Sequence, residues 1–107
     1  MENRIVSYER NKAGVPVGCI LARCFPELNN NTVYIAWSLC RKKDNFSKRD
    51  ALEMAEDRAR AMAFKGRLCA VPRSLATAAY DMVYRAQEFF PGKLVMNPVI
   101  QVIPPKD

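Results

Sequence analysis

The stretch Thr32-Val33-Tyr34-Ile35-Ala36-Trp37-Ser38-Leu39-Cys40, followed after a basic connection by Ser47-Lys48-Arg49-Asp50-Ala51-Leu52, decides the fold. Across it the spacing of apolar residues changes from the period of a strand to that of a helix. Val33, Ile35 and Trp37 alternate with Tyr34, Ala36 and Ser38, so Thr32 to Cys40 reads as a strand. Both of its faces are fairly apolar, which predicts a central or helix-covered position. Ser47-x-x-Asp50 resembles a capping box with Asp in place of Glu or Gln, and Lys48 to Lys65 consists largely of good helix formers. Leu52, Ala55, Ala59 and Met62 form one apolar line at helical spacing, flanked by Ala51 and Ala63. Glu56 and Arg60 stand at i,i+4, and Gly66 supplies a stop.

Working outward toward the N-terminus, Arg4 to Glu9 reads as a short strand and Val15 to Cys24 as a second, paired with the first as a hairpin. Pro16 and Gly18 weaken the second strand locally and favour an edge position or a bulge at its beginning. Phe25 to Asn31 reads as a loop, rich in residues that tolerate turn conformations. Toward the C-terminus, Arg67 to Val71 is a short extended piece. Pro72-Arg73-Ser74 introduces a second helix over Leu75 to Phe89, whose apolar face is Leu75, Ala79, Met82, Val83, Ala86 and Phe89 or Phe90. Pro91-Gly92 ends that helix. Lys93 to Ile103 reads as a last strand interrupted at Asn97-Pro98, with Pro104 to Asp107 as a tail.

Strands, then helices, then a late strand indicate an α+β domain: an antiparallel sheet of about four strands with two helices packed on one face. At 107 residues and 50% hydrophobic, positions 1 to 107 suffice for a single compact domain with its own core, without metal or disulfide staples. The cysteines Cys19, Cys24, Cys40 and Cys69 contain no C-x-x-C pair, and the chain has no histidine. The usual zinc patterns are therefore absent and reduced thiols are expected. Without histidine no Ser-His or Cys-His nucleophile exists. Among the carboxylates Asp44, Asp50, Glu53, Glu56 and Asp57, only Glu53 and Asp57 share a helix face closely enough to co-ligate an ion. No strand carboxylate and lysine complete a nuclease pattern, so no catalytic residue, metal or cofactor is assigned. No apolar run reaches the roughly 18 residues of a membrane-spanning helix, and no signal-type stretch follows Met1; a cytoplasmic protein is expected.

The net charge is +6, and residues 41 to 73 hold ten Lys/Arg against five Asp/Glu. Five of the cations, Arg41, Lys42, Lys43, Lys48 and Arg49, crowd around the predicted helix start. A helix N-terminus is the positive end of the macrodipole, so cations there are unfavourable unless an anion sits among them. First-turn amides donate to phosphate oxygens while flanking cations attract from a distance, and neutralised phosphates release counterions. Asp44 and Asp50 answer part of the excess. Arg67 and Arg73, flanking the connection between helices, extend the candidate anion-binding set. Phe46 reads as a hydrophobic staple before the Ser47 cap, packing on Ala51. Phe46 and Tyr34 are also the two candidate stacking aromatics for an unpaired base. Arg60 is partly accounted for by Glu56, and the stem of Arg58 covers apolar surface.

The run from Ile35 to Ala59 resembles small phage and prophage proteins of uncharacterised function. They share a strand ending in Trp/Tyr-Ser-Leu-Cys, then Lys-Asp-x-Phe-x-Lys and an alanine-rich helix. Lys43, Asp44, Phe46, Lys48, Ala55, Arg58 and Ala59 match, whereas Asp50 or Ala51 stands where the pattern has glycine. The resemblance implies a phage or mobile-element origin, hence a place in the cytoplasm of a host cell, and it transfers no activity.

Together these readings favour a non-enzymatic accessory protein that binds DNA or RNA electrostatically through the basic strand-to-helix junction. A second reading is an inhibitor whose basic patch occupies an acidic surface of a host defence protein. A third is an assembly role, with Val99 to Ile103 pairing across a homodimer edge.

Overall fold

The computed structural model describes residues 3–40 and 45–102. Strand β1 (Arg4–Arg10) and strand β2 (Pro16–Phe25) form the expected antiparallel hairpin, and β2 pairs in turn with strand β3 (Asn29–Leu39). The register shifts between Glu9 and Arg10, opposite Pro16, where the sequence argues for a bulge. The predicted loop is shorter than expected. Asn29, Asn30 and Asn31 belong to β3, and only residues 26–28 turn the chain, closed by a Leu28 amide donating to the Phe25 carbonyl at 3.0 Å. The Asn29 carboxamide organises that end of β3, accepting from the Asn31 amide at 2.9 Å and donating to Thr32 Oγ1 at 3.1 Å.

Helix α1 (Lys48–Lys65) matches its predicted bounds. Gly66 terminates it at φ 64°, in the left-handed region where a side chain is strained, and the Gly66 and Arg67 amides both donate to the Ala61 carbonyl. After a 3₁₀ turn at Arg73–Leu75 comes helix α2 (Ala76–Phe89). Its buried face is Ala79, Met82, Val83 and Ala86, with Phe90 rather than Phe89 turned inward.

The sheet order is β1-β2-β3-β4, where strand β4 is the two-residue Leu94–Val95. The fold is α+β with four strands and two helices, and two details differ from expectation. First, β4 runs parallel to β3, matching Thr32 with Leu94 and Val33 with Val95, so the sheet is mixed. Second, the helices cover opposite faces rather than one. Ile20, Ala22, Cys24, Val33 and Ile35 join the buried side of α2, whereas Cys19, Leu21, Phe25 and Ala36 join Ala51, Ala55 and Ala59 of α1. The cause lies in β2, whose alternate residues are apolar in both directions: a strand with two apolar faces must be covered on both. The alanine stripe of α1 lets that helix lie close on its side of the sheet.

The remainder of the predicted late strand does not lengthen the sheet. Val99 and Gln101 instead straddle Val71, whose amide donates to Val99 at 2.6 Å and whose carbonyl accepts from Gln101 at 2.8 Å. The backbone edge assigned to a dimer contact is thus partly spent inside the chain, and Ile103 lies outside the described residues.

Candidate nucleic-acid interface

The junction between β3 and α1 is built on Ser47. Its backbone is extended, at φ −124° and ψ 121°, and its hydroxyl accepts from the Asp50 amide at 3.2 Å while its carbonyl accepts from the Ala51 amide at 2.9 Å. Those bonds start the helix in the geometry of an N-cap. Phe46 precedes the cap and is half-buried against the α1 side of the core, its ring set edge-on to Tyr8 with centroids 6.2 Å apart. Phe46 thus packs on the cluster that contains Ala51, with Tyr8 as the aromatic neighbour its ring meets. Tyr8 holds a second junction residue, because Lys48 Nζ lies 5.1 Å from its ring centroid. Arg49 reaches Asp50 at 3.7 Å, with both side chains mostly exposed. An exposed pair of that length contributes little and exchanges partners readily. The amides of Lys48 and Arg49 fall in the first turn, where a helix supplies no intrahelical acceptor.

Beside this turn the last residues of β3 and the first two turns of α1 enclose a cavity of about 270 Å³. Its described lining combines apolar Leu39, Phe46, Ala51 and Met54 with Ser38, Cys40, Asn45, Ser47 and Asp50. Ser38 is fixed from behind: its hydroxyl lies 3.3 Å from Cys19 Sγ, which also donates to the Ala51 carbonyl at 3.4 Å. Burial pushes the Cys19 thiol above its ordinary value, against a smaller opposing effect of the Ser38 contact. The buried Cys19 thus ties β2 to β3 and to the first turn of α1, backing the cavity floor at Ser38 and Ala51.

The other predicted site residues are not brought together here. Arg41, Lys42 and Lys43, with Asp44, lie outside the described residues. Lys48 and Arg49 are neighbours at the start of α1, but Arg67 follows its C-terminal cap, separated from them by the length of an 18-residue helix. At 1.5 Å per residue that is about 27 Å. Arg73 opens the turn before α2, whose neighbour Leu75 packs on the opposite face of the sheet. Tyr34 lies on the α1 side, half-buried with its ring 6.3 Å from Phe25.

One expected charge arrangement is also replaced. Glu56 does not pair with Arg60; it receives Arg4 Nη1 at 3.0 Å and Arg23 Nε at 3.0 Å, both reaching from the sheet. Arg60 lies instead over Phe25 and Phe64, at 5.3 Å and 5.8 Å from their centroids. Glu53 and Asp57 border a shallow depression with Arg4, Arg49 and Arg60. Among the described residues no three His, Cys, Asp or Glu side chains gather as a metal site. The junction residues that sequence reasoning missed are Tyr8, Asn45 and Met54. Only Tyr8 carried a signal, since strand alternation places it on the face of Val6, toward α1.

The arrangement is that of a small α+β protein with a half-apolar cavity at a cationic helix start. Comparison of the chain with known protein families, curated proteins and solved structures finds no match. Among the described residues no helix is long and apolar enough to cross a membrane.

Proposed function

We propose that this chain binds nucleic acid electrostatically through the β3–α1 junction. The observation that carries the reading is the placement of Lys48 and Arg49 in the first turn of α1, both exposed, where the macrodipole and unspent amides favour an anion. Arg41, Lys42 and Lys43 directly precede this turn in sequence, so residues 41 to 50 hold five cations against Asp44 and Asp50. A phosphate backbone crossing the junction neutralises that surplus. Resemblance of the Ile35 to Ala59 run to small phage proteins agrees with an accessory role in a mobile element, in which general affinity for nucleic acid suffices. Arg67 and Arg73, being remote from the junction, are left out of this site.

The test is a polarisation titration of short labelled DNA and RNA between about 50 and 200 mM salt. Affinity should fall steeply with salt, and Lys48→Glu with Arg49→Glu should weaken binding and lower the slope of log K against log salt by about one to two. Binding indifferent to salt, or none at the lowest salt, refutes the proposal.

A further inference from the structure

The described lining of the cavity beside the junction is mostly apolar, unlike the charged turn that adjoins it. Its walls are the apolar side chains of Leu39, Phe46 and Met54, and the one charged group among its described lining residues is the Asp50 carboxylate. Of the two described cations at the turn, Lys48 lies over Tyr8, whereas Arg49 reaches Asp50 at 3.7 Å and also borders the depression with Glu53 and Asp57. Among the described lining residues a phosphate meets apolar walls and a carboxylate. A flat, uncharged ring with a hydrogen-bonding edge meets apolar surfaces for its faces and acceptors for its edge. Asn45 adds a carboxamide at the rim that has no partner among the described residues, offering a donor and an acceptor together. The volume, about 270 Å³, lies just below the ~300–1,000 Å³ of drug-sized sites and suits one ring system.

Resting on the nucleic-acid reading above, we propose that the cavity receives one unpaired base bearing an exocyclic amino group, so that the preferred ligand is single-stranded. Asp50 accepts from the amino group, as Asp and Glu accept from cytosine N4, while Phe46 and Met54 cover the ring. The adjoining phosphates cross Lys48 and Arg49 outside the cavity. A base within a duplex cannot enter, because its faces are stacked and its pairing edge is occupied. The carboxylate in the lining, unfavourable for a simple anion site, thereby acquires a role in choosing the base.

The experiment titrates the full chain with labelled oligo(dC), oligo(dT), oligo(rC) and a mixed-sequence strand, free and in duplex. The free strand should bind roughly five- to a hundred-fold more tightly than its duplex, and oligo(dC) more tightly than oligo(dT) of equal length. Oligo(rC) against oligo(dC) identifies whether RNA or DNA supplies the base. Met54 is 47% exposed, so Met54→Trp can fill the cavity mouth without opening the core; it should abolish the single-strand preference while leaving duplex binding and its salt slope in place. Asp50→Ala should erase the difference between oligo(dC) and oligo(dT), whatever it does to overall affinity. Equal binding of strand and duplex, or an unchanged preference in both variants, overturns the inference and leaves electrostatic binding standing. Absence of binding by every probe at low salt overturns both.

Discussion

The guanidinium of Arg58 lies 3.9 Å from the ring centroid of Trp37 and donates to the Trp37 carbonyl at 2.8 Å. The two residues belong to different sides of the sheet: Trp37 packs toward the α2 cluster, whereas Arg58 projects from α1. β4 covers β3 only at Thr32 and Val33, so among the described residues the backbone at Trp37 has no strand beyond it. Arg58 closes that edge, and the Cys69 thiol in turn donates to the Arg58 carbonyl at 3.6 Å.

Arg58→Ala is therefore expected to destabilise the fold by about 1–3 kcal/mol, combining a stacked cation with a charged hydrogen bond. Arg58→Lys should recover only part, since an ammonium keeps charge but loses the planar stack. Trp37→Phe should cost less than about 1 kcal/mol, because the ring remains and the indole N–H it removes is buried without a partner. Urea unfolding followed by circular dichroism measures all three. Trp37 is the single tryptophan, so a red-shifted emission in Arg58→Ala should accompany the loss. A fully stable Arg58→Ala variant would show that the edge needs no cover.

Glu56 ties α1 to the sheet through both carboxylate oxygens, one to Arg4 and one to Arg23. The Arg23 side chain is 17% exposed and Glu56 16%, so removing either leaves a poorly solvated partner. Glu56→Gln is predicted to cost about 1–3 kcal/mol. Arg23→Met in the same chain should return part of that loss by removing the orphaned charge. A double-mutant cycle by chemical denaturation gives the coupling, and a coupling near zero would mean the bond is incidental.

Gly18 faces β3 with no room for a side chain. A Cβ built there would stand 2.4 Å from the Ser38 carbonyl oxygen, a backbone atom that cannot swing aside. Gly18→Ala should destabilise by about 1–3 kcal/mol or more through overpacking, and by disturbing Ser38 should also loosen the junction cavity. Thermal melting tests this; an unchanged midpoint would show that β3 yields at little cost.

These features divide according to whether their causes are local. The start and stop of α1 could be read directly, because Ser47, Asp50 and Gly66 act within one turn of their own positions. The hairpin and the strand at β3 were equally legible from alternation. Gly18 looked like a weakness in β2, since the carbonyl that excludes a side chain belongs to a strand twenty residues on. Glu56 had a reasonable partner four residues away in Arg60, but that position turns to Phe25 and Phe64 while Arg4 and Arg23 come up from the sheet beneath. The two-sided placement of the helices was latent in β2, where Cys19 and Leu21 oppose Ile20, Ala22 and Cys24. Reading β3 alone left the choice of face open. At the candidate site, Lys48 and Arg49 are neighbours at the start of α1, whereas Arg67 and Arg73 were joined to them only by proximity in sequence.

The thiol of Cys19 offers a pH-dependent test of the junction floor. Burial raises its folded pKa above the ordinary thiol value of the unfolded chain, so the folded state holds the proton more tightly. Stability linked to this group is fully present below the unfolded pKa and is lost as pH rises through the higher folded value, where unfolding releases the proton at a gain. Unfolding free energy should accordingly decline above about pH 9, and Cys19→Ala should remove that part of the decline even though it also costs the contacts to Ser38 and Ala51. Reactivity gives an independent readout, because thiolate and access are both required for alkylation. Cys69 and Cys40 are half-buried while Cys19 and Cys24 are buried, so mass spectrometry should find the first two modified in the native protein and the latter two only on unfolding. Rapid modification of Cys19 at neutral pH would mean that the floor of the cavity opens on its own.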